Sequence, residues 1–189
     1  MLAGGRSTRM GSDKALVPVG DVPMVRIVAD VLRAAGIERV YVAGSMSRRA
    51  GLVAGCEVID DIAEGRGPLG GVATALALAD TVMVCTCDVP GIDAHDVQTL
   101  LAALRSQPAA DVAVARSGVQ IHPLVSVWRS GPTRPIVLDA IAEGPASVMS
   151  VLDRLASVEV ELPATHLVNI NTPGELAEFV QQHSGRAER

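Results

Sequence analysis

Aromatic side chains are scarce in this 189-residue chain, whose aromatic residues are Tyr41, Trp128 and Phe179. Proteins that bind single-stranded nucleic acid stack its bases on several aromatic rings, so this composition argues against such a surface. Apolar residues still make up 49% of the chain, so its core must be built from valine, leucine, isoleucine and alanine. This content excludes intrinsic disorder. The length predicts one domain over residues 1–183 and a polar tail over 184–189.

Cysteines and long apolar runs are also few. Cys56, Cys85 and Cys87 are odd in number and lack the spacing of a disulfide framework, which favours a reducing compartment. Cys85 and Cys87 alternate along a predicted strand with no histidine nearby, so we interpret them as small buried residues rather than zinc ligands. No apolar run approaches the roughly 18 residues of a membrane span, and no leader precedes the glycine-rich start. We therefore expect a soluble, cytoplasmic protein with no membrane partner.

Lysine occurs once, at Lys14, against 15 arginines. The charge is uneven as well, because residues 1–49 carry a formal charge of +4 and residues 50–189 one of −9. A basic N-terminal segment suits a phosphate-bearing ligand. The net charge of the whole chain, −5, argues against a nucleic-acid partner. A metal ion could lie among the later carboxylates.

Helical and extended apolar patterns alternate along the chain. The patterns predict helices at 23–35, 69–79, 94–105, 133–142, 147–155 and after Pro173, and strands at 40–43, 56–60, 81–87, 111–116, 122–129 and 158–162. Such alternation predicts an α/β fold in which helices cover a mostly parallel sheet. Ligands bind at the C-terminal ends of the strands in such sheets. The loops at those ends are 3–14, 43–48, 60–68, 87–93 and 169–173.

The first strand is predicted to be short. Met1 stands almost directly before the glycine-rich loop, which leaves about two or three residues where a strand usually has five or six. A missing upstream piece, through a wrong start codon or trimming, is one interpretation.

A glycine-rich segment, residues 4–14, lies between the first strand and the first helix predicted. Glycines let the backbone approach a phosphate closely, and Arg6, Arg9 and Lys14 add positive charge. A Walker A loop requires Gly-x4-Gly-Lys-Ser/Thr, which this segment does not match. The alternative is a glycine-rich turn with surface arginines.

A second glycine pattern, Gly65-Arg-Gly67-Pro-Leu-Gly70, matches the Gly-x-Gly-x-x-Gly dinucleotide motif. It comes several residues after its strand instead of forming a tight turn, and the acid expected about 20 residues later would be Asp88. A dehydrogenase is therefore not favoured.

Polar side chains follow two of the predicted strands. Asp88 comes directly after the buried strand 81–87, and Mg²⁺ prefers one or two carboxylates together with phosphate oxygens and water. Asp88 is therefore a candidate metal ligand, with a turn or N-cap aspartate ahead of Pro90 as the alternative. Asn169 and Asn171 lie in another such loop, and turn or capping residues ahead of the last helix are the alternative for them.

Five segments together resemble one known family. The first, Leu2-Ala-Gly-Gly-x-Ser-x-Arg-Met-Gly-x-Asp-Lys14, resembles the signature of nucleotidyltransferases with a GT-A-like Rossmann fold. The others are Val58-Ile-Asp-Asp61 with Gly67-Pro-Leu-Gly-Gly71, Cys85-Thr-Cys-Asp-Val-Pro90, His122-Pro-Leu124 and Asn169-Ile-Asn-Thr-Pro-Gly-Glu-Leu176. In this order they look most like the molybdenum cofactor guanylyltransferases, and they span nearly the whole chain.

The resemblance implies a three-layer, Rossmann-like nucleotidyltransferase fold. It implies transfer of GMP from GTP to the terminal phosphate of molybdopterin, with Mg²⁺ as cofactor and pyrophosphate as leaving group. Asp88 would hold the metal, and Lys14, helped by Arg9, would stabilise the charge on the pyrophosphate. The residues implied for nucleotide binding are Leu2, Ala3, Gly4, Gly5, Lys14, Asp61, Pro68, Leu69, Gly70 and Asp88. Asn169, Asn171 and His122 are the candidates for the metal or the second substrate.

Several alternatives stay open. Asp61 could be a solvated turn acid and His122 a structural hydrogen-bonding residue. A sister family that uses CTP tends to carry Leu-Ala-Ala-Gly at the start, so Gly4 and the 68–71 segment favour guanine. Nucleotidyltransferases of sugar phosphates or phospholactate share the fold, and a nucleotide-binding partner protein without catalysis is the alternative from another class. Molybdenum-insertion or molybdoenzyme delivery proteins are the expected protein partners.

Overall fold

A computed structural model describes residues 1–3, 14–43, 55–63 and 65–183 of the chain, with only the backbone described at Lys14 and His183. Its strands are β1 (Pro18–Val19), β2 (Val22–Pro23), β3 (Tyr41–Ala43), β4 (Glu57–Ile59), β5 (Thr81–Cys85), β6 (Val112–Ser117), β7 (Gln120–Arg129) and β8 (Ser157–Glu161). Its helices are α1 (Met24–Ala34), α2 (Pro68–Ala75), α3 (Ala94–Ser106), α4 (Ser130–Glu143), α5 (Val148–Leu152) and α6 (Pro173–His183). Each helix and strand predicted with explicit bounds is present, with shifted ends.

Strands β3 to β8 form two sheets that the start of the chain connects, and β1 pairs with β2 in a hairpin of their own. β3 and β4 pair in parallel, and β5, β7, β6 and β8 lie side by side in that order. Leu2 pairs in parallel both with Ala43 of β3 and with Thr86, which follows β5. β7 runs antiparallel to β5 and β6, whereas β6 and β8 are parallel. The mostly parallel sheet that the sequence predicts is thus confirmed, with β7 as the reversed strand.

The segment Met1–Ala3 is short but hydrogen-bonded on both sides. The amide of Leu2 donates to the carbonyl of Cys85 over 2.7 Å, and the amide of Ala3 donates to the carbonyl of Ala43 over 2.9 Å. The amide of Cys87 donates back to the Leu2 carbonyl over 3.1 Å. These bonds hold the residues that precede the glycine-rich segment in the middle of the sheet.

Helices cover both faces of this sheet, which confirms the three-layer arrangement. On one face, α1 and α3 pack on Cys85 and on residues of β6 and β7 such as Val127. On the other, α2, α4 and α5 pack on Val84 and Trp128. Burial raises the pKa of the Cys85 thiol to about 12, so this cysteine is protonated and acts as a small apolar residue.

Local sequence explains where the helices begin and end. α1 buries residues at helical spacing, namely Met24, Val25, Val28, Ala29 and Leu32. The chain leaves α1 at Gly36, whose φ of 94° suits glycine. α3 begins with a reciprocal cap in which the Asp93 carboxylate accepts the Asp96 amide and the Asp96 carboxylate accepts the Asp93 amide.

Some short features have no counterpart in the predicted elements. The hairpin of β1 and β2 turns at Gly20, where φ is 62°, and each strand has two residues, too few for a periodic pattern. The helix predicted at 69–79 ends at Ala75, and the strand predicted at 81–87 ends at Cys85.

No helix among the described residues is long and apolar enough to cross a membrane.

Candidate functional site

The candidate site lies where parallel strands end together. Met1–Ala3, β3, β4 and β5 run in the same direction, so the segments after Ala3, Ala43, Ile59 and Cys85 leave one edge of the sheet. Of the predicted site residues, Gly4, Gly5 and Arg9 lie outside the described residues. Lys14 begins a turn of 3-10 helix, Lys14–Leu16. The described part of the site is therefore built around Leu2, Ala3, Asp61 and Asp88.

Asp88 lies just beyond the end of β5 and is oriented from two sides. The hydroxyl of Thr86 donates a hydrogen bond of 2.7 Å to Oδ1 of the Asp88 carboxylate. The amide of Ile170 donates to the backbone carbonyl of Asp88 over 2.9 Å. The carboxylate is half-buried, so it combines solvent access with a fixed orientation.

The asparagine loop, residues 169–171, is brought against Asp88 by that second bond. Ile170 is fully buried, whereas Asn169 and Asn171 on either side of it are exposed. The loop thus inserts one apolar side chain and keeps the two amides at the surface beside the strand end. This places the two asparagines and Asp88 in one region, as the strand-end argument predicts.

The cap of α6 explains which residues are not candidates for substrate binding. The amide of Glu175 donates to the Thr172 hydroxyl over 3.2 Å, and the Glu175 carboxylate accepts the amides of Asn171 (2.6 Å) and Thr172 (2.9 Å). This is a reciprocal helix cap. Thr172 and Glu175 therefore satisfy backbone groups at the start of the helix.

Asp61 and helix α2 pack closely through two glycines. A Cβ on Gly70 would lie 2.5 Å from the carbonyl oxygen of Ala63, and a Cβ on Gly71 would lie 2.4 Å from a Leu2 methyl and 3.5 Å from Oδ1 of Asp61. The Thr74 hydroxyl also accepts the amide of Ile62 over 2.9 Å. The loop after β4 is therefore held on α2, with Asp61 half-buried against Gly71.

The other residues predicted for the nucleotide differ in exposure. Pro68 is exposed at the first turn of α2, and Gly70 is buried. The Leu69 side chain is 2% exposed and packs in the same core cluster as Leu2. Leu69 thus packs in the core next to the site rather than on its solvent-exposed surface.

His122 lies near the start of β7, which begins at the same sheet edge because this strand is reversed. The amide of Thr86 donates to the carbonyl of Leu124 over 3.1 Å, which aligns this part of β7 with the segment that carries Asp88. His122 is 8% exposed, and burial lowers its pKa from 6.5. A neutral imidazole is therefore favoured there.

A second polar cluster was not predicted. Nδ1 of His166 lies 2.8 Å from Oδ2 of Asp96 and 3.9 Å from Oδ2 of Asp93. These three side chains lie close enough to share a metal ion. The spacing Asp93-x-x-Asp96 ahead of a helix indicates a cap, but nothing near His166 in the sequence indicates its partner.

Comparisons with known proteins agree with this architecture. The family model of the MobA-like NTP transferase domain matches residues 1–160. The probable molybdenum cofactor guanylyltransferase of Pelotomaculum thermopropionicum is 34% identical over 188 residues, which cover 93% of this chain and 88% of that protein. The molybdenum cofactor guanylyltransferase of Xanthomonas euvesicatoria pv. vesicatoria is 31% identical, covering 97% and 94%.

Among solved structures, molybdopterin-guanine dinucleotide biosynthesis protein A of Archaeoglobus fulgidus superposes with a TM-score of 0.79. The two sequences are 20% identical, and the match covers 97% of each chain. At this identity the likeness shows that the fold is shared.

Proposed function

We propose a specific reaction for this chain, which belongs to the MobA-like NTP transferase family and is a nucleotidyltransferase. In this reaction GMP passes from GTP to the terminal phosphate of molybdopterin, with or without bound molybdenum, and pyrophosphate is released. The observation that carries the proposal is the convergence of Leu2–Ala3, Asp61 and Asp88 at one sheet edge. Full-length similarity to guanylyltransferases supports the choice of substrates.

The chemistry requires positioning more than proton transfer. An oxygen of the acceptor phosphate forms a bond to the α-phosphorus of GTP, and the bond from that phosphorus to the bridging oxygen of pyrophosphate breaks in line. A phosphate monoester is already anionic, so no protein base is needed to activate it. The contribution of the protein is to hold both phosphates and to neutralise charge.

The nucleotide would be held by the start of the chain and by the loop after β4. Backbone amides at residues 3–5 would bind phosphate oxygens, and Lys14 with Arg9 would stabilise the charge on the leaving pyrophosphate. The Asp61 carboxylate would accept the N1–H and N2–H of guanine, with Pro68, Leu69 and Gly70 beside it. Leu2 and Asp61 both lie against Gly71, so Leu2 would line the same pocket.

The residues around Asp88 fit a magnesium ion. Mg²⁺ takes oxygen ligands and usually one or two carboxylates, and the half-buried Asp88 carboxylate stands beside exposed asparagines that offer amide oxygens. Asp88 would hold the ion, with Asn169 and Asn171 as further candidates. When bound, Mg²⁺ neutralises negative charge on the phosphate oxygens. The cluster of Asp93, Asp96 and His166 includes an imidazole nitrogen, which suits this hard ion less well.

The second substrate would enter from the side of the asparagine loop. Asn169, Asn171 and His122 lie toward the same edge as Asp88 and would contact molybdopterin. The product would then pass to proteins that insert molybdenum or receive the cofactor. The three cysteines of the chain, all within the described residues, form no disulfide, which supports a reducing compartment and the cytoplasm as the place of the reaction.

Pyrophosphate release tests the proposal. Purified protein is incubated with Mg²⁺, molybdopterin and either GTP or CTP, and the dinucleotide product is identified by mass. We expect pyrophosphate and the guanine dinucleotide with GTP. Turnover with CTP alone would overturn the guanine assignment, and tight GTP binding without turnover would support a nucleotide-binding protein that lacks catalysis. Turnover with a sugar phosphate or phospholactate alone would overturn the assignment of molybdopterin as the acceptor.

A further inference from the structure

A partly buried hydrogen bond links the two segments that meet at the candidate metal site. The His166 ring lies in the 3-10 turn Ala164–His166, shortly before the asparagine loop, and Asp96 lies in the first turn of α3. Nδ1 of His166 is 2.8 Å from Oδ2 of Asp96. A carboxylate oxygen accepts hydrogen bonds, so the imidazole donates from Nδ1.

Little of this contact is exposed to solvent. Asp96 is 2% exposed and the His166 side chain is 12% exposed. Oδ2 of Asp96 also accepts the amide of Asp93 over 3.0 Å. One carboxylate oxygen therefore connects the cap of α3 to the turn before the asparagine loop, and a buried carboxylate with two donors resists displacement because losing either donor is costly.

The backbone packs just as closely at this junction. A Cβ on Gly91 would lie 2.8 Å from the carbonyl oxygen of Thr165 and 3.3 Å from Cα of His166. The turn that carries His166 thus rests directly on the segment between Asp88 and Asp93. Glycine at position 91 permits this approach.

Short stretches of chain connect the contact between Asp96 and His166 to the proposed site on both sides. Asp88 precedes Asp93 by five residues, and Asn169 follows His166 by three. The amide of Ile170 donates to the Asp88 carbonyl, so the two stretches of chain are also hydrogen-bonded to each other at the site. A shift of the His166 turn would therefore move the asparagines relative to the Asp88 carboxylate.

We propose that Asp96 and His166 are positioning residues that fix the asparagine loop against Asp88 and thereby align the acceptor phosphate. This inference rests on the proposed function for the identity of the acceptor. A metal site at Asp93, Asp96 and His166 is less favoured, because Oδ2 of Asp96 already accepts two hydrogen bonds that an ion would have to replace.

Steady-state kinetics of three variants test the pair. His166→Leu removes the donor, His166→Asn offers an amide nitrogen near the position of Nδ1, and His95→Leu is a matched control on the exposed side of α3. In H166L we expect kcat/KM for molybdopterin to fall by about tenfold or more, since small misplacements of reacting groups are costly. GTP affinity, measured by calorimetry without Mg²⁺ so that candidate metal ligands do not contribute, should stay unchanged. H166N should recover most of the loss, and H95L should resemble the wild type.

Hydrogen exchange supplies a readout that does not depend on turnover. In H166L the Ile170 amide should exchange faster than in the wild type, while amides of α1 keep their rates. An unchanged Ile170 rate, an unchanged kcat/KM for the acceptor, or equal losses in H166L and H166N would overturn the pair's role. A Zn²⁺ affinity that H166L abolishes would favour a metal site instead. Absence of transfer by the wild type would contradict the proposed function, while the exchange experiment would still decide the positioning role.

Discussion

The Asp88 carboxylate, which we propose as the metal ligand, is held by neighbours that leave it half-buried. The Thr86 hydroxyl bonds one of its oxygens, and the Ile170 amide anchors its backbone carbonyl. Both contacts restrict the rotation and displacement of the carboxylate before any ligand arrives. Such preorganisation lowers the free energy needed to assemble a metal site.

Replacing Asp88 by Asn should remove most of the activity. The amide keeps the size of the side chain but removes the negative charge that attracts Mg²⁺. We expect kcat to fall by at least about a hundredfold, which corresponds to about 2.7 kcal/mol of transition-state stabilisation. Pyrophosphate release at several Mg²⁺ concentrations measures this effect.

The matched control is Asp80→Asn at the opposite end of the same strand. Asp80 is exposed and lies just before β5, so D80N should have wild-type kcat. A D88N enzyme that retains wild-type turnover would exclude Asp88 as the metal ligand.

His122 should make folding stability depend on pH. Burial lowers its pKa below 6.5 in the folded protein, so the unfolded chain binds a proton at this residue more readily as the pH falls below 6.5. Protonation then favours the unfolded state. The free energy of unfolding of the wild type should decrease relative to that of His122→Gln below pH 6.5, and their difference should be constant above it. Urea unfolding at a series of pH values measures both curves, and parallel curves would contradict a buried neutral His122.

Helix α2 positions the loop after β4 because it lacks side chains where the loop crosses it. Gly70 and Gly71 bring the helix against Ala63, Asp61 and Leu2. The Thr74 hydroxyl accepts the Ile62 amide and donates to the Gly70 carbonyl. The glycines that resemble a dinucleotide motif in the sequence therefore include one with a packing role.

Substituting alanine at Gly70 should destabilise the protein even though alanine is the better helix former. The new Cβ would lie 2.5 Å from a backbone carbonyl oxygen, and such overpacking costs about 1–3 kcal/mol. Gly131, in the first turn of α4, has no heavy atom within 4 Å of its hypothetical Cβ. G131A should therefore stabilise by about 0.4–1 kcal/mol. Chemical denaturation of both variants measures the change in the free energy of unfolding, which should be negative for G70A and positive for G131A. A stabilised G70A would contradict the close packing of the loop on α2.

Most of these elements could be predicted from the sequence because their apolar patterns are long. The strand-end position of Asp88 followed from the run 81–87, and the start of α6 followed from Pro173. The β1–β2 hairpin has two-residue strands that carry no periodicity. The Asp96–His166 contact joins residues 70 positions apart, and only tertiary structure brings them together. The position of Asp88 after a strand was thus predictable, whereas the contacts that hold the neighbouring loops were not.

Across the whole molecule, the three residues Met1–Ala3 connect the β3–β4 pair with the four-stranded sheet. Leu2 bonds to Cys85 on one side, and Ala3 bonds to Ala43 on the other. Leu2 also packs with α2 residues and Trp128 in one core cluster. The core on this face is therefore continuous across the sheet, and we propose that residues 1–183 unfold as one domain.

A single unfolding transition should result, and the one tryptophan of the chain allows a direct check. Trp128 is fully buried in β7, so its fluorescence reports the four-stranded sheet, while far-ultraviolet circular dichroism reports all helices and strands. The two signals should have the same midpoint in urea. Leu2→Ala should shift both midpoints together and lower the free energy of unfolding by about 2–5 kcal/mol, because Leu2 is 9% exposed at the junction. Val119→Ala, at a fully exposed hairpin tip, should shift neither. Separate midpoints in the wild type, or a shift of the dichroism signal alone in L2A, would mean that the β3–β4 half unfolds independently and that the central segment does not unite the sheet.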